Sequence, residues 1–168
     1  MAIRERIDGL KKLFKREGAV SISAYLDEQL VCFLEAETRD EALKEMVRLL
    51  QQGIKLGDAD LFYQAILERE KIISTGIGLA VAIPHAKLHG YKDFFIAVGI
   101  QRNKGIEWNA LDAAPVRLVF MIGGPDDRQT EYLKILSLLT LAIKNEERRK
   151  KLMKTYSAKE VIDLFAGF

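Results

Sequence analysis

Apolar residues recur along this chain with two periods, and the changes of period mark its elements. Ala42, Met46 and Leu49 share one side of a 3.6-residue repeat. The capping pattern Thr38-Arg39-Asp40-Glu41 precedes them and Gly53 closes the run, so a helix is expected there. Asp58 caps a second helix that carries Leu61, Phe62, Ala65 and Ile66 inward toward Arg69. A third helix, from Arg128 to Lys144, places Leu133, Leu136, Leu139, Thr140 and Ile143 on its stripe. Between the helices lie short apolar runs: Gln29 to Leu34, Ala80 to Ile83, Phe94 to Ile100 and Val116 to Ile122. These read as strands, and Gly123-Gly124-Pro125 is expected to break the last of them. A charged helix over Glu146 to Lys154 follows, then a final helix behind the capping pattern Ser157-Ala158-Lys159-Glu160. At the amino end, residues 2–16 set Ile3, Ile7, Leu10 and Phe14 on one stripe of an amphipathic helix. Short apolar strands alternating with helices argue for an α/β fold, its sheet covered on both faces.

Composition narrows this picture. The chain has 168 residues, 49% of them hydrophobic, which suits one domain with a substantial core. Charged residues make up 30%, with both signs interspersed and a net charge of +2. That is a solvated surface, not the basic stripe of a nucleic-acid binder. A lone cysteine, Cys32, excludes an internal disulfide and fits a reducing cytosol. No apolar run approaches the ~18 residues of a membrane span. The alternating start Ile3-Arg4-Glu5-Arg6-Ile7 is unlike a secretory signal. The expectation is a cytoplasmic protein that does not insert into a membrane.

The chemistry concentrates in Ser74-Thr75-Gly76-Ile77-Gly78-Leu79-Ala80-Val81-Ala82-Ile83-Pro84-His85-Ala86-Lys87. Pro84 has no N–H, so the chain is expected to leave the sheet there and set His85 at its rim. A neutral imidazole is a good nucleophile and titrates near neutrality. Hydroxyls and the cation of Lys87 are close in sequence. Other chemistries fit poorly. His85 and His89 lack the further ligands of a structural zinc site. Gly76-Ile77-Gly78 lacks a third glycine and precedes a strand, unlike a dinucleotide fingerprint, and no Walker-type loop is present. No metal and no cofactor are expected.

Arg69-Glu70, Ser74-Thr75, Gly76-Ile77-Gly78 and Ala82-Ile83-Pro84-His85, in that order, resemble an active-site region. It is that of the enzyme IIA domains of the bacterial phosphotransferase system, of the fructose, mannitol and nitrogen-regulatory type. The similarity runs from Val20 to Phe165, which leaves residues 1–17 as an N-terminal helical extension to a phosphotransfer domain at 18–168. The resemblance implies a single domain with a mixed, mostly parallel β-sheet and helices on both faces. It implies that His85 is phosphorylated on Nε2, leaving Nδ1–H for a backbone carbonyl. It brings Arg69 to the phosphoryl group, where a guanidinium fork suits the three oxygens. Ser74 and Thr75 either donate to the phosphoryl group or form the turn. Gly76 and Gly78 either aim backbone N–H groups at it or serve the turn alone. Lys87 either neutralises charge or is solvated. Leu79, Ile83, Ala86 and Trp108 are candidates for the apolar collar that meets a partner, although Trp108 also reads as a packing residue. Many members carry a second histidine where this chain has Tyr132, whose hydroxyl can donate a hydrogen bond but supplies no imidazole.

The implied donor is the histidine-containing phosphocarrier protein. The implied acceptor is a cysteine-bearing IIB protein, unless the phosphoryl group is held as a signal for a regulatory or transport target. Without a fused transporter or IIB domain in the 168 residues, the nitrogen-regulatory type is favoured. A sugar-specific IIA subunit and a binding module without turnover are the rivals.

Overall fold

Alternate residues of the central strands go to opposite faces of one sheet, and the helices sort to match. The computed structural model describes residues 20–53 and 56–168, so the extension expected over residues 1–17 lies outside the described residues. The strands are β1 (Val31–Phe33), β2 (Gly76–Gly78), β3 (Val81–Ala82), β4 (His85–Leu88), β5 (Phe95–Ile100) and β6 (Leu118–Pro125). The helices are α1 (Arg39–Gln52), α2 (Ala59–Ile72), α3 (Gln129–Ile143), α4 (Glu146–Lys154) and α5 (Ala158–Asp163). The strand order is β1-β5-β6-β3-β2, with β4 also paired to β6. β1–β5, β3–β6 and β4–β6 run parallel, while β5–β6 and β2–β3 run antiparallel. This is the mixed, mostly parallel sheet that was expected. Ile96, Val98, Ile100, Leu118, Phe120 and Ile122 pack with α3, α4 and α5. Phe95, Ala97, Val119 and Met121 pack with α1 and α2. Burying each large apolar side chain is worth about 1.5–3 kcal/mol, so the alternation fixes which face each strand residue takes.

Three helix starts follow the capping patterns. Thr38 Oγ1 accepts from the Glu41 N–H at 3.4 Å, Asp58 Oδ1 from Leu61 at 3.0 Å, and Ser157 Oγ from Glu160 at 3.3 Å. Helix rotation was less legible. Leu61 and Leu133, expected inward, are 56% and 50% exposed. On α2 the buried positions are Phe62, Ile66 and Glu70; on α3 they are Tyr132, Ile135, Leu138, Leu139, Ala142 and Ile143. Apolar residues ring most of α3, so its period alone does not select a face. Leu49 of α1 is only partly buried, and Leu43, Val47 and Leu50 take the inward positions beside Ala42 and Met46.

Strand boundaries near the site also differ. The run at Gln29 opens as a 3-10 turn, Glu28–Leu30, capped by Asp27, so β1 starts only at Val31. Pro84 does not take the chain out of the sheet. Its carbonyl accepts from Ile122 N–H at 2.9 Å, and β4 resumes along β6 in parallel register, His85 opposite Ile122. The missing N–H costs the edge of the sheet little, because β4 pairs on one side. β6 also runs through the glycines expected to break it. A Cβ at Gly123 would lie 2.3 Å from the Phe95 ring, and one at Gly124 would lie 2.2 Å from Phe94. These glycines make room for aromatic packing rather than for a turn. β3 is shortened to Val81–Ala82 because Leu79 and Ala80 form a hairpin tip at φ 59° and 62°, after Gly78 at φ 91°. Two non-glycine residues in the left-handed region cost roughly 1–2 kcal/mol each.

Candidate functional site

His85 opens β4 on the same side of the sheet as Val81 and Ile83, the side that α3 covers. Its ring is half-buried and both nitrogens are engaged. Nδ1 lies 3.0 Å from the Ile83 carbonyl oxygen. Arg69 Nε–H donates to Nε2 at 3.2 Å. An acceptor on one nitrogen and a donor on the other select the neutral Nδ1–H tautomer, with the lone pair on Nε2. Burial holds the imidazole pKa below its ordinary value; the Ile83 carbonyl opposes this, the Arg69 and Lys87 cations add to it, and Glu70 opposes it weakly. The ring is therefore neutral and nucleophilic at Nε2 near neutral pH.

Arg69 stands in the last turn of α2, where Nη1 donates to the Ile73 carbonyl at 2.9 Å. That contact closes the turn behind the helix and aims the guanidinium at His85. An ion pair to Glu68 or Glu70 is not its role, since Glu68 takes Lys71 at 2.6 Å and Glu70 points inward. Tyr132 lies in the first turn of α3, 5% exposed, with its ring 5.5 Å from the His85 ring and 6.3 Å from Phe94. Burial raises its phenol pKa, with Arg69 pulling the other way, so it stays protonated. Lys87 Nζ sits 4.3 Å from the Tyr132 ring centroid and donates to Gln129 Oε1. Next to His85 is a cavity of about 400 Å³, walled by Ile77, Leu79, Ile83, Leu136 and Ile143, with Arg69 and Lys144 at its polar edges.

The histidine, the arginine and the tyrosine predicted from sequence thus converge. The hydroxyls do not point freely into the site. Ser74 Oγ donates to the Trp108 carbonyl at 2.8 Å, and Thr75 Oγ1 donates to Glu70 at 2.7 Å. Both residues line the cavity, but their protons serve the turn. Gly76 gives its N–H to Ser74 Oγ and packs against Ala110, which a Cβ would meet at 2.7 Å. Gly78 opens the hairpin at φ 91°. The Gly76 N–H is therefore not free to cradle an anion. Leu79 is 48% exposed on the cavity rim, as a partner contact requires. Ile83 lines the cavity from within. Ala86 packs on the opposite face with α1 and α2, and Trp108 is 1% exposed, so neither reaches a collar. Trp108 spends its indole N–H on Glu70 at 3.0 Å.

The sequence reading missed Glu70 as a site element, although it left a signal. Phe62, Ile66 and Glu70 are four apart, which puts a carboxylate on the apolar stripe of α2. The cavity wall from α3 left a weaker one: Leu136, Thr140 and Ile143 share the expected stripe, which does not say that it lines a cavity with His85.

The family model described as "Phosphoenolpyruvate-dependent sugar phosphotransferase system, EIIA 2" matches residues 24–167. The chain belongs to this enzyme IIA family. It is similar to the fructose-specific EIIABC component of Bacillus subtilis, 37% identical over 131 residues, 78% of this chain but 20% of that relative. It therefore spans about a fifth of that protein's length. It is also similar to the fructose-specific EIIA component of Haloferax volcanii, 33% identical over 129 residues, covering 77% of this chain and 83% of that one. Among solved structures, nitrogen regulatory protein IIA-Ntr of Neisseria meningitidis superposes with a TM-score of 0.79 at 30% identity, over 86% of this chain and 99% of that one. The IIA fold accounts for the mixed sheet with α3 laid across the histidine. Among the described residues, no helix is long and apolar enough to cross a membrane.

Proposed function

We propose that this enzyme IIA-type domain is a phosphoryl carrier whose acceptor is His85. The observation that carries the reading is the pair of ring contacts, Ile83 carbonyl on Nδ1 and Arg69 on Nε2. The donor is a phosphohistidine of the phosphocarrier protein, in the cytosol. The Nε2 lone pair attacks phosphorus, the donor's P–N bond breaks, and the donor imidazole leaves with that electron pair. The proton of His85 stays on Nδ1, where the Ile83 carbonyl stabilises the positive ring of the product. Arg69 moves from the ring nitrogen to the phosphoryl oxygens, a charge-assisted contact strengthened as the group arrives. The apolar rim around Leu79 and the cavity suits a brief, small docking contact. Tyr132 offers a phenol where a second imidazole is common, and Lys87 on its ring supplies fixed positive charge.

The onward step belongs to the nitrogen-regulatory type in this proposal, supported by the likeness to the Neisseria meningitidis protein. Identity with the fructose-specific components favours a second reading, delivery to a cysteine-bearing IIB protein. Incubation with phosphoenolpyruvate, enzyme I and the phosphocarrier, followed by intact-mass analysis, tests the carrier reading. A single phosphoryl adduct supports it. No adduct leaves a binding module that kept the fold, with Tyr132 marking the lost turnover. Adding candidate IIB proteins then separates the two onward routes.

A further inference from the structure

Among the described residues, Glu70 is the one charged side chain that is buried, at 4% exposure. A buried carboxylate is tolerated only where donors satisfy it. Three do: the Thr75 N–H at 2.8 Å and the Trp108 indole at 3.0 Å on Oε1, and the Thr75 hydroxyl at 2.7 Å on Oε2. Two of these come from one residue, so Thr75 is gripped at its backbone and its side chain together. The Thr75 carbonyl accepts from Ile83 N–H at 3.0 Å, and the Ile83 carbonyl meets His85 Nδ1 at 3.0 Å. Glu70 is thus the anchor of a hydrogen-bonded chain that ends on the ring nitrogen opposite the nucleophile.

We propose that Glu70 is a positioning residue for phosphoryl transfer, holding His85 in its Nδ1–H tautomer through Thr75 and Ile83. The proposal rests on the reading of His85 as the acceptor. One helical turn then serves both ring nitrogens. Successive α-helical residues project about 100° apart. Arg69 accordingly reaches Nε2 directly while Glu70 points inward and controls Nδ1 at a distance. The groups that face the ring are Arg69 and Glu70 from α2, Lys87 from β4 and Tyr132 from α3. Of these, Glu70 is tied to the Ile83 backbone by the hydrogen bonds through Thr75. If the Ile83 carbonyl shifts, the Nε2–H tautomer gains population, and its Nε2 has no lone pair to attack with.

The test uses Glu70→Met, Thr75→Val and Thr75→Ser. Methionine at position 70 leaves the Thr75 N–H and hydroxyl without their carboxylate acceptor and breaks the grip, valine removes the hydroxyl link, and serine keeps it. Ring ¹⁵N NMR of His85 reads the tautomer without any carrier protein, so it stands even if the phosphocarrier proves to be the wrong donor. Single-turnover phosphorylation at varied carrier concentration separates the maximal transfer rate from the half-saturating concentration. We expect a tautomer mixture in Glu70→Met, with the maximal rate down about 10- to 100-fold and half-saturation unchanged, the scale of a misplacement near 1 Å. Thr75→Val should show a smaller loss of the same kind, and Thr75→Ser should match the parent. A folded Glu70→Met with an unaltered ¹⁵N pattern overturns the proposal, whether or not its rate falls. Should Glu70→Met fail to fold, an unaltered pattern in Thr75→Val overturns it equally.

Discussion

The two ends of β4 carry the same side chain in opposite settings. His85 opens the strand with both ring nitrogens occupied, between the end of α2 and the start of α3. His89 follows the strand with its side chain 98% exposed, its nearest carboxylate oxygen 3.9 Å away on Asp126. An imidazole in water is spread over two tautomers and two protonation states near pH 7. The enclosure at His85 narrows this spread: it fixes the tautomer and disfavours the cation. What sets the proposed phosphoryl acceptor apart from His89 is therefore the pair of contacts that α2 and the Ile83-Pro84 turn impose, not the residue type.

The most direct way to break this contrast is to delete each histidine. His85→Ala should abolish phosphoryl uptake, while His89→Ala should leave it unchanged. The adduct in the parent should be labile to acid and stable to alkali, as phosphohistidine is. Uptake by His85→Ala, or a label that survives acid, would place the acceptor elsewhere and remove the basis of the comparison.

Arg69 is the next part of the enclosure. Arg69→Ala removes the donor on Nε2 and the charge-assisted contact to the transferring group. That contact is worth roughly 1.5–3 kcal/mol, or about one to two decades in rate. The stability cost should be smaller, about 1 kcal/mol, since the bonds lost from the fold, to the Ile73 carbonyl and to His85 Nε2, are not fully buried. Rates and melting curves measured together decide it. Transfer at the parental rate would show that Arg69 does no more than close α2.

The sequence disclosed the two ends of β4 unequally, and the reason is physical. His85 follows an apolar run and a proline, and its tautomer and its arginine could be anticipated from neighbouring residues and from the family pattern, whereas its place in the sheet could not, because β4 resumes pairing with β6 directly after Pro84. Helix starts at Thr38, Asp58 and Ser157 were equally legible, because a cap is a local interaction. Three features were not. Gly123 and Gly124 look like a turn in sequence, and only the rings of Phe94 and Phe95 over them keep β6 extended. Trp108 reads as a packing residue with a partner anchor as the alternative, and the bond from its indole to Glu70 decides for packing. The face of α3 that meets His85 depends on tertiary packing, because apolar residues ring the helix. Local chemistry was readable; contacts between distant elements were not, apart from Tyr132 beside His85, which the family pattern supplied.

Tyr132 sharpens the comparison from the α3 side, with a smaller expected effect. Its ring lies against His85 and under Lys87. If its hydroxyl donates to a phosphoryl oxygen, Tyr132→Phe should slow transfer about tenfold, the equivalent of ~1.4 kcal/mol, without altering the melting curve. If the phenol marks a lost activity, Tyr132→His should raise transfer instead. If the ring only packs, Tyr132→Phe should be silent and Tyr132→His should destabilise a site that is 5% exposed. The position of Tyr132 in the first turn of a helix, where an anion is favoured, supports the hydrogen bond. A silent Tyr132→Phe would eliminate it.

The smallest effect is a shift in titration, and its sign is fixed by the enclosure. Burial, with Arg69 and Lys87 adding to it, lowers the His85 pKa against the pull of the Ile83 carbonyl. The folded value therefore lies below the ~6.5 of an unfolded histidine. The unfolded chain binds the proton more readily, so this contribution to stability is complete above pH ~6.5 and is lost as pH falls through the folded pKa. The acid limb of the phosphorylation rate should fall in the same window, because only the neutral ring attacks. Proton NMR of the His85 ring across pH reads the midpoint directly. Arg69→Ala should raise it and Lys87→Met should raise it less, in the order of their influence on the ring. A parental midpoint at or above ~6.5 would mean that the enclosure does not favour the neutral ring, and the contrast between the two histidines would reduce to exposure alone.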